Sequence, residues 1–285
     1  MKTLTAISCL FWLTGVAHAT TVLVDDNFTN STATNQTSVS NTESSGVGTH
    51  TMINGTLGLS VQTVSFFGSS KALKMNVGSG SVDYRAFDGA TTLTLNSLAA
   101  NQTLSLSFNV GYQADPTASL SFGFVDNTGP NSVVYVNQSL VGASNASKFR
   151  YRTGSAFMSA ASPSVAIDLT NGVWTDADTL ASTSYTLQLD VTKLANGNFQ
   201  LDYSRDNSLV KSLTVLSTDT WVTSVGGTAI TGIAFRNESV NSANIFIDNV
   251  LVSVSAIPEP STYALLLGGL TLGAVVLRRR TQANG

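Results

Sequence analysis

The chain has one cysteine and two histidines in 285 residues, and only 11% of it is charged, against roughly 25% in ordinary soluble domains. Cys9 and His18 fall in the first nineteen residues, which read as a removable leader, so the remaining chain holds no cysteine and one histidine, His50. That excludes disulfides and thiolate sites, and leaves a Ser-His-Asp or Cys-His arrangement only His50 to draw on. His50 is expected to be a solvated loop residue. Zinc lacks its usual nitrogen and sulfur ligands. Glutamate is scarce as well: outside the termini only Glu43 and Glu238 occur. A pair of catalytic carboxylates is left to draw mainly on aspartates, most of which sit at turn-like places such as Asp115-Pro116, Asp126-Asn127 and Asp206-Asn207. Between the terminal segments ten cations stand against sixteen acids, all seventeen but Glu259. That excess of negative charge argues against a nucleic-acid partner.

What is present is a hydrophobic content of 42%, enough to supply a core, and a surface left to Ser, Thr, Asn and Gly. At the front, Lys2 precedes an apolar run from Leu4 to Val16, followed by Ala17-His18-Ala19. A basic start, a short apolar stretch and a small-x-small site make a signal peptide over residues 1–19. Signal peptidase is expected to cut between Ala19 and Thr20. An uncleaved anchor is the alternative, and the shortness of the run disfavours it.

Residues 25–56 are rich in Thr, Ser, Asn and Gly and are expected to form long loops or a poorly ordered edge. From about residue 57 the pattern becomes short alternating runs, as half-buried strands require. Leu104, Leu106, Phe108 and Val110 fall on one face, with Ser105, Ser107 and Asn109 on the other. Leu120, Phe122 and Phe124 repeat this after Asp115-Pro116, so the two runs are expected to pair antiparallel. Tyr185, Leu187, Leu189 and Val191, then Phe199, Leu201 and Tyr203 across Asn196-Gly197, predict a hairpin. Ile245–Val254 is apolar on both parities and predicts a central strand covered on both faces. Many strands without intervening helices imply an all-β fold of two packed antiparallel sheets over residues 20–256.

With its opening Val22-Leu23-Val24-Asp25-Asp26, its Tyr185–Tyr203 hairpin and its closing Phe246-Ile247-Asp248-Asn249-Val250, this region resembles a concanavalin A-like or laminin G-like jelly roll, a β-sandwich whose first and last strands pair. The Glu-x-Asp-x-x-Glu strand motif of glycosidases with that fold is missing.

The C-terminus has an ordered constellation: Pro258-Glu259-Pro260-Ser261, an apolar span over 263–277, then Arg278-Arg279-Arg280. As a helix the span is about 22 Å long, short of the roughly 30 Å hydrocarbon core, so it enters a membrane only with thinning or snorkelling. The arginines stay cytoplasmic and the two prolines keep the motif extended at the outer face. This order resembles the PEP-CTERM sorting signal. The resemblance implies a substrate of exosortase, a membrane enzyme of polysaccharide-producing Gram-negative bacteria, anchored transiently in the inner membrane and passed on to the cell surface or extracellular matrix. A plain C-terminal anchor is the alternative.

Of the remaining loops, Asp176 and Asp178 beside Trp174 are the most suggestive. Two carboxylates two residues apart can share a calcium ion, and an exposed tryptophan can stack on a sugar ring. Turn-forming aspartates beside a core tryptophan are the plainer and favoured reading. Asp25-Asp26 and Asp248-Asn249 offer the same choice between calcium ligands and strand ends, with strand ends favoured. No cofactor is required, calcium being the one option. The residues therefore lead to an exported, non-enzymatic envelope or biofilm protein with weak extracellular-polysaccharide contact. A concanavalin A-like enzyme using aspartates and a purely structural coat protein are the alternatives.

Overall fold

The computed structural model describes residues 20–28, 49–53, 59–63, 67, 71–75, 82–87, 93–113, 119–126, 132–139, 148–151, 165–168, 184–219, 222–223, 226–237 and 244–255. They form two antiparallel sheets. The first has eight strands: β1 (Thr21–Asp26), β3 (Leu59–Thr63), β4 (Lys71–Met75), β6 (Thr103–Gln113), β11 (Ser184–Lys193), β12 (Phe199–Arg205), β13 (Ser208–Val215) and β15 (Asn244–Val254). The second has seven: β2 (Thr49–Ile53), β5 (Val82–Ala86), β7 (Ser119–Val125), β8 (Ser132–Ser139), β9 (Lys148–Tyr151), β10 (Val165–Asp168) and β14 (Gly232–Asn237). Residues Thr20–Ser255 make one compact unit.

The core lies between the sheets and is built by the alternation visible in the sequence. Leu104, Leu106, Phe108 and Val110 of β6 and Leu187, Leu189 and Val191 of β11 are buried against Phe122 and Phe124 of β7 and Ile233 and Phe235 of β14. Phe108 meets Phe122 at 4.8 Å and Phe235 at 4.9 Å, both at 77°. These edge-on contacts bring ring hydrogens of one sheet to the π-face of the other, adding about 0.5–1.5 kcal/mol per pair beyond simple burial.

The same contacts correct one expectation. β6 and β7 do not pair; β6 lies between β11 and β15, β7 between β14 and β8. Period-two alternation marks which side of a strand is wet, and two strands facing each other across a sandwich carry the same mark as two neighbours in one sheet. Of residues 25–56 the described parts are the end of β1 through Phe28 and the whole of β2, and the rest lies outside the described residues. His50 stands on β2 opposite Arg85 rather than in a loop. Among the described residues β2 stands at the edge of its sheet, paired with β5.

The predicted hairpin forms as β11 and β12, from Leu187↔Arg205 to Lys193↔Phe199. Its loop is closed by Leu194 N–H to Asn198 O at 2.7 Å and Gly197 N–H to Leu194 O at 2.9 Å, with Gly197 alone left-handed at φ 83°. That is a turn followed by a glycine bulge rather than a two-residue turn. The two-residue turn occurs next, at Asp206 and Asn207, with φ of 49° and 62°.

β15 is not covered on both faces: Asn249 and Leu251 are exposed, because among the described residues no layer lies over them on the face away from the core. It is central in its sheet, as expected, with β6 on one side along its length. Its other side is shared: β4 pairs with Ile245–Ile247 and β1 with Val250–Val254. The opening and closing strands therefore do pair, over the second half of β15. Where β4 gives way to β1, β15 carries a bulge between Asp248 and Leu251, and Asn249 takes φ 51°.

Candidate functional site

The face of the eight-stranded sheet turned away from the core is polar. Residues in register form rows across it, the clearest running Ser253, Ser105, Asp190, Asp202, Ser212 through β15, β6, β11, β12 and β13. These side chains are mostly engaged with one another. Ser105 Oγ donates to Asp190 Oδ1 at 2.5 Å and Gln188 Nε2 to Asp190 Oδ2 at 2.8 Å. Ser212 Oγ and Gln200 Nε2 donate to Asp202 Oδ1 at 2.6 and 3.0 Å, and Thr214 Oγ1 to Gln200 Oε1 at 3.0 Å. The Thr103 and Thr192 hydroxyls lie 2.8 Å apart.

Asp190 and Asp202 are direct cross-strand partners. Burial pushes the Asp190 carboxyl above the usual carboxylate range; the hydrogen bonds from Ser105 and Gln188 oppose this, and the Asp202 charge adds to it. Two acids side by side on an outer face, one of them reluctant to ionise, form a cross-strand pair that a row of hydroxyls and amides holds in place.

Beside this network lies a depression of about 340 Å³ at the β15 bulge. Ser107 and Asn109 of β6, Thr186 of β11, Asn249 and Leu251 of β15, and Asp25 and Asn27 at the end of β1 line it. Thr186 Oγ1 donates to Asn109 Oδ1 at 2.9 Å. The Asn109 NH2, the Ser107 hydroxyl, the Asn249 side-chain amide and the Asp25 carboxylate make no hydrogen bond to another described residue. The bulge creates the hollow: Asp248 opposes Asn109 and Leu251 opposes Ser107, so an extra residue is accommodated on one side and Asn249 turns out to solvent.

Several residues singled out in the sequence, Ala17, Ala19, Trp174, Asp176, Asp178, Pro258, Glu259, Pro260, Ser261, Arg278, Arg279 and Arg280, lie outside the described residues. Thr20 is exposed just before β1. Asp26, in register with Val250 of β15, and Asp248, two residues before that partner, are both buried. Asp26 Oδ1 accepts Phe28 N–H and Asp248 Oδ1 accepts Asn249 N–H, each at 2.8 Å. Asp26 ends β1, as expected, and the turn it caps lets Phe28, at φ 54°, drop its ring fully into the core. Asp248 and Asn249 do not end a strand but lie inside β15 at its bulge, where the strand changes partners. Among the described residues no three His, Cys, Asp or Glu side chains come together as a metal site would need. Sequence reading missed the depression because its lining comes from four strands, each contributing residues recognisable only as the wet side of an alternation.

The last observation comes from outside the sandwich: residues 256–280 match the family model of the PEP-CTERM protein-sorting motif. The tail is a PEP-CTERM sorting motif. A chain with a PEP-CTERM tail is exported and sorted by exosortase, with transient membrane anchoring before presentation at the cell surface. No curated protein matches the chain. Among solved structures, the calreticulin globular domain of T. cruzi superposes with a TM-score of 0.50 at 10% identity, covering 86% of this chain and 92% of that one. Alginate lyase Aly36B with bound alginate trisaccharide gives 0.49 at 10%, covering 81% and 97%. The binding domain of botulinum neurotoxin DC gives 0.45 at 12%, covering 85% of this chain. The chain spans about half the length of that neurotoxin domain, 52%. The likeness to calreticulin is one of fold alone.

Proposed function

We propose that this chain is a non-enzymatic cell-surface or extracellular-matrix protein of a polysaccharide-producing Gram-negative bacterium, acting by weak carbohydrate contact. The observation that carries the proposal is a PEP-CTERM tail attached to a sandwich whose described outer face is built of hydroxyls and amides. Such a surface exchanges hydrogen bonds with hydrated polysaccharide without strong ionic attraction. The absence of catalysis is supported by placement: His50 belongs to the other sheet from the Asp190–Asp202 pair, and each of those carboxylates is held by neighbouring donors. Screening the full chain, purified in detergent, on a glycan array with and without calcium tests the carbohydrate clause. Binding to at least one glycan class is expected, and uniform absence of binding would sink it. The structural coat reading predicts that latter result together with a matrix defect on gene deletion.

One observation favours a second reading. Glycoside hydrolysis uses a pair of carboxyls, one of them kept protonated by its surroundings; Asp190, raised by burial, and its cross-strand neighbour Asp202 offer such a pair. Turnover of the host polysaccharide, abolished by Asp190→Asn, would establish an enzyme.

A further inference from the structure

We infer that the depression at the β15 bulge is the glycan subsite, and that it takes a neutral, hydroxyl-bearing sugar unit rather than a uronate; the inference rests on the carbohydrate reading above. The decisive feature is the contrast with its surroundings. Along the rest of the described polar face the groups discussed above bind one another: Thr103 with Thr192, Ser105 and Gln188 with Asp190, Ser212 and Gln200 with Asp202. In the depression the Ser107 hydroxyl, the Asn109 NH2, the Asn249 amide and the Asp25 carboxylate converge without such partners. Together they offer both donors and acceptors, which is what a sugar hydroxyl, itself donor and acceptor, requires.

Charge and shape narrow the ligand. The lining contains no Lys or Arg, and its one ionisable side chain is the Asp25 carboxylate, so a uronate would bring like charge against like charge with no cation to offset it. Leu251, 39% exposed and in register with Asp25, offers an apolar surface to the C–H face of a ring. The volume of about 340 Å³ is at the small end of ligand pockets, roughly 300–1,000 Å³, and suits a short stretch of a polymer. Phe108 is the one aromatic residue among the described lining, and its ring is buried in the core. Without a stacking platform a single subsite binds weakly, and avidity along a repeating polymer makes the contact useful.

The test uses the full chain in detergent over dense surfaces of neutral hexose trisaccharides and of uronate trisaccharides. The expected result is preference for a neutral surface. Ser107→Ala and Asn249→Gly, the latter keeping the left-handed backbone while removing the amide, should each weaken binding about two- to tenfold, the range of one net hydrogen bond. Ser107→Arg should abolish it by filling the hollow, and Ser208→Ala, exposed at the start of β13 and outside both the depression and the polar network, should leave it unchanged. Unaltered melting temperatures show that the variants fold. Glycan binding that Ser107→Arg and Asn249→Gly leave intact would overturn the subsite while the carbohydrate reading stands. Preference for uronates would overturn the ligand class. Binding to neither surface would overturn the inference and, if the wider array is also blank, the reading beneath it.

Discussion

Asp190 sets a pH dependence. Its carboxyl, ordinarily titrating near 3.8, is held higher in the folded chain, first by burial and then by Asp202 against the opposing hydrogen bonds. A carboxyl raised on folding leaves its contribution to stability whole below the unfolded value and diminishes it as pH rises through the folded one. The melting temperature of the wild-type chain minus that of Asp190→Asn should therefore be largest near pH 3.5 and shrink toward pH 7. A difference that grows with pH would refute this. In the core, Phe108 touches a ring from each of two strands of the opposite sheet. Phe108→Ala should cost about 3–5 kcal/mol, measured by urea unfolding, and a cost below about 1 kcal/mol would show that Phe108 does not join the sheets. The buried face of β6 was legible from its alternation, but the partners of Phe108 were not, because they come from strands with no local sequence relation to it.

At the scale of elements, the β11–β12 hairpin depends on one backbone conformation. Gly197 is left-handed at φ 83°, and a Cβ there would meet nothing nearer than Ser217 Cβ at 3.9 Å. Gly197→Ala therefore carries only the left-handed penalty, about 1–2 kcal/mol, to be seen as a matching drop in unfolding free energy; Gly197→Asn should recover part of it, since asparagine tolerates that region better. This hairpin was readable because its register is set by a local turn. The depression was not, since it depends on β15 changing partners from β4 to β1 and on the bulge at that change. Nothing in Asp248-Asn249-Val250 as a string announces a bulge; the demand comes from the strands it pairs with.

Across the whole molecule, the chain enters and leaves the sandwich on paired strands, Thr21 opposite Val254. Processing before Thr20 and after Ser255 consequently removes no described strand. Mass spectrometry of the released protein should find a C-terminus lacking Arg278, Arg279 and Arg280; an intact arginine cluster on the released form would contradict exosortase processing. The destination of the protein was determined by sequence alone, because another protein reads the tail as an ordered string of residue types: a Pro-Glu-Pro, a short apolar span and a cationic end. The all-β class was determined there too, since period-two burial is a local property of each strand. Tertiary structure alone decided which strands are neighbours, which merely face one another, and where a hollow opens among otherwise engaged polar groups. Those outcomes depend on contacts between residues far apart in the chain, where one wet face resembles any other until its partners are in place.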